Sequence, residues 1–243
     1  MLIVINNAIF VRIGADQSIG GGRWNGPVDS RTWDFAYVPI PETKPSLEGH
    51  ERFYSEYRSA IAKFKTTLPA HLQNERMHLD PDFDDLTYGD RGTKGRQLSS
   101  LMKSGDLIVF YAGLRDIRSS CIIYAIIGIF LGDYLRPAVD FKKVDACRNA
   151  HTRRQLASGS DDIVVVARAG VSGRLDRCIP IGEYRQGAYR VREELLTAWG
   201  GISAKRGYLQ RSAVFPSLLH PQKFWNWWLE QERTLVRQNN LGQ

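Results

Sequence analysis

The chain of 243 residues has few cysteines and no long apolar run. Its three cysteines, Cys121, Cys147 and Cys178, are widely spaced and form no CxxC pair, so neither a zinc ribbon nor a disulfide framework is indicated. Cys121 opens the longest apolar run, residues 121–131, and we expect its thiol in the core. Eleven residues are too few to cross a bilayer as a helix. We therefore expect a cytoplasmic protein without membrane association.

Several common catalytic motifs are also missing. The chain has no GxSxG, HExxH or GxGxxG, which removes the main support for a serine hydrolase, a zinc protease or a dinucleotide-binding enzyme. The hydrophobic fraction of 43% and the charged fraction of 24% are ordinary for a globular protein. The net charge of +7 favours an anionic partner, above all nucleic acid or a nucleotide, although many basic proteins bind nothing anionic.

Hydrophobic periodicity indicates strands and helices in mixed order. The N-terminal apolar segment lacks a basic region and a cleavage site, so we predict a strand there and not a signal peptide. Strands are predicted at residues 2–13, 35–41, 107–112, 122–130 and 163–167, the third and fourth as a hairpin. Helices are predicted at residues 50–67, 97–103, part of 136–155, 192–199 and 221–236. We therefore expect an α+β fold with a mixed, curved or partly closed sheet and flanking helices, forming one domain over residues 1–243 with a helical portion from about residue 190.

The segment His78-Leu79-Asp80-Pro81-Asp82 is the strongest candidate for chemistry. On an extended segment His78 and Asp80 point to the same side, where an imidazole and a carboxylate suit a divalent metal ion or an acid/base pair. The alternative is a turn whose aspartates accept hydrogen bonds from their own backbone. An EF-hand is not indicated, because the required glycine and closing glutamate are absent.

A glycine-rich and basic stretch follows at residues 87–96. Its glycines, with Arg91, Lys94 and Arg96, could hold a phosphate through backbone N–H groups and cations. The GK[ST] order of a Walker A loop is missing, and a plain solvated loop is an equal alternative.

Three further groups are open to two interpretations each. Tyr111, at the end of a strand, could stack on a base or pack in the core. His151, close to Arg153, could face a phosphate or complete a site with His78, or could end a solvated basic helix. A separation of more than about 10 Å between the two imidazoles would exclude a shared metal. Trp225 and Trp228, at helical spacing, favour core packing over a base-stacking platform.

The order of these segments resembles the nucleotide modification associated domain 3 family, whose members are described as enzymes predicted to modify DNA bases. The resemblance covers the chain from its start to about Ile181, and HLDPD is its most specific element. The matching segments are residues 38–42 (VPIPE), 78–82 (HLDPD), 88–90 (YGD), 98 and 101, 105–111 (GDLIVFY), 149–151 (NAH) and 174–181. The resemblance implies a role in making or handling modified bases, in phage or anti-phage contexts. It also implies that His78, Asp80 and Asp82 are the signature positions of the family.

Residues and resemblance together predict an enzyme that acts on a nucleobase or nucleotide. Its catalytic residues would be His78, Asp80 and Asp82, and the first two would be the metal ligands if a divalent metal is bound. The residues expected to bind the substrate are Tyr88, Asp90, Arg91, Lys94, Arg96, Tyr111, His151 and Arg153. The alternatives are a non-catalytic module that reads modified or single-stranded bases on a small barrel, and a structural subunit without a cleft at residues 78–82.

Overall fold

The computed structural model describes residues 3–141, 148–210 and 212–240. A long hairpin of two strands forms its centre, as the apolar runs predict. The strands in these ranges are β1 (Ala8–Arg12), β2 (Pro27–Val28), β3 (Ile40–Pro41), β4 (Met77–His78), β5 (Thr87–Asp90), β6 (Leu107–Asp116), β7 (Ile122–Pro137), β8 (Ile163–Ala167), β9 (Gly173–Pro180), β10 (Gly182–Arg185), β11 (Ala188–Val191) and β12 (Leu235–Val236). The central hairpin is β6 and β7, which pair antiparallel with Leu107 opposite Leu131 and Arg115 opposite Ile122. Burial on both faces accounts for their nearly continuous apolar sequence.

Eight strands form one mixed sheet around this hairpin. Strands β1 and β2 lie parallel to β6, while β8 and β9 lie antiparallel to β7. Strand β5 pairs with β8, and β12 pairs with β9. Within the described ranges the sheet is not closed. Two small sheets, β3–β4 and β10–β11, lie beside it. The predicted α+β class with a mixed sheet is confirmed.

The helices in the described part of the chain are short. They are α1 (Arg58–Ala62), α2 (Gly92–Leu101), α3 (Glu193–Trp199) and α4 (Pro221–Glu230). Helices α3 and α4 pack against the sheet through aromatic side chains. Trp199 of α3 contacts Phe224 of α4 and Phe10 of β1, with ring centroids 5.2 Å and 5.6 Å apart. Trp225 and Trp228 are buried, which confirms their predicted place in the core. None of the described helices has the length and apolar character needed to span a bilayer.

Several predicted boundaries are wrong. Instead of the helix expected at 50–67, the chain forms a 3-10 turn, Tyr54–Tyr57, and then the short helix α1. The backbone turns away after α1, and φ is 53° at Lys65. The expected strand at 35–41 is reduced to β3, and the last helix stops at Glu230, after which β12 forms. In the expected helical region 136–155 the described residues form the end of β7, a 3-10 turn at Ala138–Phe141 and a turn near 149–153. Residues 142–147, with Cys147, lie outside the described part.

Two further expectations need correction. Residues 87–96 are not a loop, because Thr87–Asp90 form β5 and α2 already begins at Gly92. Pairing of β5 with β8 supplies the backbone partners that a solvated loop would lack. Cys121 is exposed and not in the core, since it lies in the turn before β7, where its N–H donates to Ser119 Oγ.

Candidate functional site

Strand pairing positions His78 and Asp80. His78 ends β4 and lies opposite Ile40 of β3, which keeps the following residues extended. Asp80 precedes a cis peptide bond to Pro81. Its two carboxylate oxygens accept hydrogen bonds from the backbone N–H of Gly89 in β5, at 3.0 Å and 3.2 Å. Two small strands and one backbone donor therefore hold the two side chains in place.

His151 reaches the same place from a distant part of the chain. The amide nitrogen of Asn149 donates to Asp80 Oδ1 at 2.7 Å, and its amide oxygen accepts the His151 N–H at 2.9 Å. Gly89 makes room for the imidazole: a Cβ at this position would lie 2.6 Å from His151 Cδ2. Asn149 and Gly89 thus tie the turn that carries His151 to the segment that carries Asp80.

His78, Asp80 and His151 form one compact group. The two imidazoles lie edge to face with ring centroids 4.9 Å apart, well inside the limit for a shared metal. Nε2 of His151 is 3.7 Å from Asp80 Oδ2, and one donor atom from each of the three residues lies within 4.8 Å of the others. Ligands about 2 Å from a common metal ion are separated by roughly 3–4 Å, so a small closing movement would complete coordination. This His-Asp-His group could hold a metal ion.

Each imidazole is oriented by a second carboxylate. Glu42 Oε2 lies 2.6 Å from Nδ1 of His78, and Asp162 Oδ1 lies 2.5 Å from Nδ1 of His151. Nδ1 must therefore carry the proton in each ring, which leaves the lone pair on Nε2. Arg154 lies 3.1 Å and 3.3 Å from the same two nitrogens, but a guanidinium cannot accept their protons. The shorter carboxylate contacts decide the tautomers, and Arg154 bridges Glu42 and Asp162.

Burial governs the ionisation of this group. It lowers the pKa of His151 to about 4, although the hydrogen bond that His151 donates to Asp162 opposes this shift. It also lowers the pKa of His78, against the hydrogen bond with Glu42. Burial alone would raise the pKa of Glu42, but hydrogen bonds from His78 and Arg154 outweigh it and bring the value to about 2. Both imidazoles are therefore neutral near pH 7, which is the form that binds metal ions.

The group forms part of the wall of a cavity of about 390 Å³. This volume lies within the range of small-molecule sites. The cavity is also lined by the end of β1 and the following loop, by the start of α2, and by the segment before α4. Eight predicted site residues line it, namely His78, Asp80, Tyr88, Asp90, Arg91, Lys94, Tyr111 and His151. Fold and burial thus bring together segments that are far apart in the sequence.

The cations on the cavity wall differ in their partners. Arg12 is paired with Asp16 at 2.9 Å. Lys94 lies over the ring of Phe215, 5.0 Å from its centroid, and no described carboxylate pairs with it or with the exposed Arg91. Tyr111 is 2% exposed, and its hydroxyl donates to the Leu209 carbonyl. The wall near α2 therefore offers two positive charges to a ligand.

Three predicted site residues lie outside the cavity lining. Asp82 is buried and accepts hydrogen bonds from Arg153 at 2.6 Å and Asn239 at 2.9 Å. Its Oδ1 also accepts the N–H of Asp84, as in the turn alternative. Arg96 is exposed on α2, 3.9 Å from Asp161. Asp82 and Arg153 thus form a buried ion pair beside the site.

The residues that support the two histidines have no distinctive signal in the sequence. Glu42 follows the Pro-Ile-Pro segment, and Asp162 immediately precedes β8. A carboxylate at the end of a strand is a weak signal, because such residues are also common in turns. Arg154 and Asn149 adjoin His151, yet their contacts with Glu42 and Asp80 arise only from the tertiary fold.

Comparisons with known proteins agree with the resemblance of the motifs. The family model described as nucleotide modification associated domain 3 matches residues 7–239, nearly the whole chain and well beyond Ile181. Neither a search of curated proteins nor a search of solved structures found a significant match. The chain belongs to the nucleotide modification associated domain 3 family.

Proposed function

We propose that this protein is a metal-dependent enzyme that modifies a nucleotide, and that His78, Asp80 and His151 bind one divalent metal ion. The observation that carries the proposal is the convergence of these three groups on a cavity. Both imidazoles are held by carboxylates. Two imidazoles and one carboxylate suit first-row metals such as Fe(II), Mn(II) or Zn(II) and leave further coordination positions open. A metal ion there would polarise a bound substrate or activate a water molecule.

The supporting residues would keep the ligands in the geometry required. Glu42 and Asp162 fix the tautomers and the ring orientations, and Arg154 neutralises part of their charge. Such partners raise the basicity of the ligand and exclude unproductive rotamers. Asp80 is held by Gly89 and Asn149, whose contacts leave its second oxygen facing His151.

The remainder of the cavity fits a nucleotide. Arg91 and Lys94 would hold a phosphate, since no described carboxylate neutralises them. Apolar side chains, among them Phe10, Ile13 and Phe215, would cover a base or sugar face. Tyr88 and Asp90, which share a 3.1 Å hydrogen bond, lie beside these cations and would contact polar groups of the substrate.

The alternatives have less support. The sheet is not closed in the described part of the chain, so the comparison with a small barrel loses its basis. The structural-subunit hypothesis requires that there be no cleft at residues 78–82, but His78 and Asp80 line a cavity.

A product assay tests the proposed enzyme. The protein would be loaded with Mn(II), Fe(II) or Zn(II) and incubated with nucleoside monophosphates and oligonucleotides, with a small-molecule cell extract as the source of co-substrates. Mass spectrometry of the digested nucleosides should detect a changed base or sugar, and chelator or Asp80→Asn should abolish it. His220→Ala, which removes an exposed histidine outside the cavity, should keep the activity. A product that forms equally with Asp80→Asn, or no product with any combination, would contradict the proposal.

A further inference from the structure

A second concave surface adjoins the cavity. It has a volume of about 420 Å³ and is lined by Arg190, Ala204, Lys205, Arg206, Tyr208 and Ser212. We call it the basic pocket. Ser212 lines both the basic pocket and the cavity of the His-Asp-His group. Leu209, which follows Tyr208, accepts the hydroxyl hydrogen bond of Tyr111 in that cavity. The two concavities are therefore adjacent and share Ser212 as part of their walls.

The cations of the basic pocket have no acidic partners in the described chain. Arg190 donates to the carbonyls of Arg185 and Lys205, and Arg206 donates to the side-chain oxygen of Gln186. Neighbouring arginines do have acidic partners. Arg185 is paired with Glu183 and Glu193, and Arg192 is paired with Glu194. The described carboxylates therefore neutralise Arg185 and Arg192 but not the cations that line the basic pocket.

A row of tyrosine rings runs from the cavity to the β10–β11 hairpin, which also carries Arg190 of the basic pocket. Ring centroids are 6.5 Å apart for Tyr111 and Tyr124, 4.9 Å for Tyr124 and Tyr189, and 5.2 Å for Tyr189 and Tyr184. Tyr184, on the β10–β11 hairpin, is 66% exposed. A large aromatic ring exposed to this degree is available for the stacking of an unpaired base.

We infer that the basic pocket and Tyr184 bind a single-stranded polynucleotide, whose target base enters the cavity of the His-Asp-His group. A strand of phosphodiesters supplies repeated negative charges that match Arg190, Lys205 and Arg206. Its unpaired bases can stack on Tyr184. A base within a duplex cannot reach a cavity of this kind without leaving the stack.

This inference rests on the proposed function, because it takes the substrate to be a nucleotide and adds that the nucleotide belongs to a strand. A free mononucleotide would find its phosphate partners in Arg91 and Lys94 and leave the basic pocket without a ligand. A polynucleotide would use the cavity cations and the cations of the basic pocket, since the phosphates that flank the target nucleotide extend beyond the cavity. The unneutralised charge outside the cavity therefore favours the polymer.

Fluorescence anisotropy with a labelled 15-nucleotide thymidine oligomer tests the inference on the full chain. Lys205→Gln with Arg206→Gln should weaken binding about tenfold and lower the slope of log affinity against log salt by about 1.4, because each phosphate contact contributes about 0.7. Tyr184→Ala should weaken binding about tenfold through the loss of one stacked base. Lys103→Gln with Lys223→Gln is the matched control, as both lysines are exposed and line neither concavity, and it should bind like the wild type.

Further arms separate this inference from the proposed function. The oligomer should bind more tightly than the same sequence in a duplex or than thymidine monophosphate, and metal content measured in each sample should be equal in wild type and pocket variants. Unchanged oligomer binding in the pocket variants, or equal loss in the lysine control, would overturn the inference. Tight metal binding with no preference for the oligomer over the mononucleotide would also overturn it, but would leave the proposed enzyme intact. Pocket-dependent oligomer binding by a protein that takes up no metal would contradict the proposed function alone.

Discussion

His78 and His151 lie with their imidazole centroids 4.9 Å apart, and a different carboxylate holds each ring. Burying two imidazoles without hydrogen-bond partners is unfavourable, because their nitrogen atoms lose their contacts with water. Here both Nδ1 atoms are satisfied, His151 Nε2 lies 3.7 Å from Asp80 Oδ2, and a ring nitrogen of His78 lies within 4.8 Å of the ligand atoms of the other two residues. This pairing of imidazoles is the basis of the proposed metal site.

The carboxylate behind His78 provides the first prediction. Glu42→Gln keeps the size of the side chain but removes the charge that orients Nδ1–H, so metal affinity should fall by about 10–100-fold. Isothermal titration with Mn(II) or Zn(II) measures the change. Glu48→Gln is a suitable control, since Glu48 is exposed in the same part of the chain and should leave affinity unchanged. Equal affinity of Glu42→Gln and the wild type would contradict the role given to Glu42.

A glycine next to the site provides the second prediction. In Gly89→Ala the new Cβ would meet His151 Cδ2 at 2.6 Å and Asn149 Oδ1 at 3.0 Å, so the His151 ring or the backbone at residue 89 must shift. We expect most metal affinity to be lost although no ligand is changed. Gly113→Ala controls for the added methyl, because its nearest contacts would be ordinary ones at 3.5 Å. Circular dichroism should show that both variants fold, and retained affinity in Gly89→Ala would show that His151 is not a ligand.

The third prediction separates Asp82 from Asp80. Asp82→Ala removes the carboxylate that lies 2.6 Å from the buried guanidinium of Arg153, and we expect the free energy of unfolding to fall by about 3–5 kcal/mol. Arg96→Ala removes an exposed pair at 3.9 Å and should cost less than about 1 kcal/mol. Denaturant unfolding measures both. A loss below about 1 kcal/mol in Asp82→Ala, or the loss of metal binding from its folded form, would contradict a purely structural role.

The fourth prediction concerns the cysteines. Burial raises the pKa of the Cys178 thiol, so at pH 8 this group remains protonated and shielded, and alkylation should be slow. Cys121 is exposed and should react before Cys178. Peptide-level mass spectrometry after brief treatment with iodoacetamide distinguishes the sites. Faster labelling of Cys178 than of Cys121 in the folded protein would contradict the described packing.

Much of the central sheet could be predicted because its signals are local. Continuous apolar runs identify β6, β7 and β8, and the short connection between β6 and β7 indicates their hairpin. The helix at 50–67 was overestimated, since Phe53, Tyr57, Ile61 and Phe64 recur at helical spacing although the chain forms only a 3-10 turn and α1. Tyr57 and Ile61 are buried whereas Phe53 is 40% exposed, so a 3-10 turn followed by a short helix is enough to account for the buried part of this pattern.

The site was predicted in part for a related reason. His78 and Asp80 are two residues apart, so their common direction could be inferred from an extended backbone. Whether His151 joins them depends on Asn149 and Gly89, whose contacts cross between distant segments. Glu42, Asp162 and Arg154 were missed because a supporting carboxylate or guanidinium has no characteristic spacing from its partner. Asp82 has the same residue type as Asp80, and its tertiary contacts with Arg153 and Asn239 distinguish the two.

Metal content is the most direct test of the central claim. Wild-type protein, His78→Ala, His151→Ala and the control His220→Ala would be stripped with chelator, exposed to equal mixtures of Fe(II), Mn(II) and Zn(II), desalted without oxygen and assayed by mass spectrometry of the elements. We predict about one metal ion per chain in the wild type and in His220→Ala, little or none in the two site variants, and metal-dependent thermal stabilisation in the first pair alone. Equal metal content in all four proteins, or none in the wild type, would contradict the assignment of His78, Asp80 and His151 as a metal site.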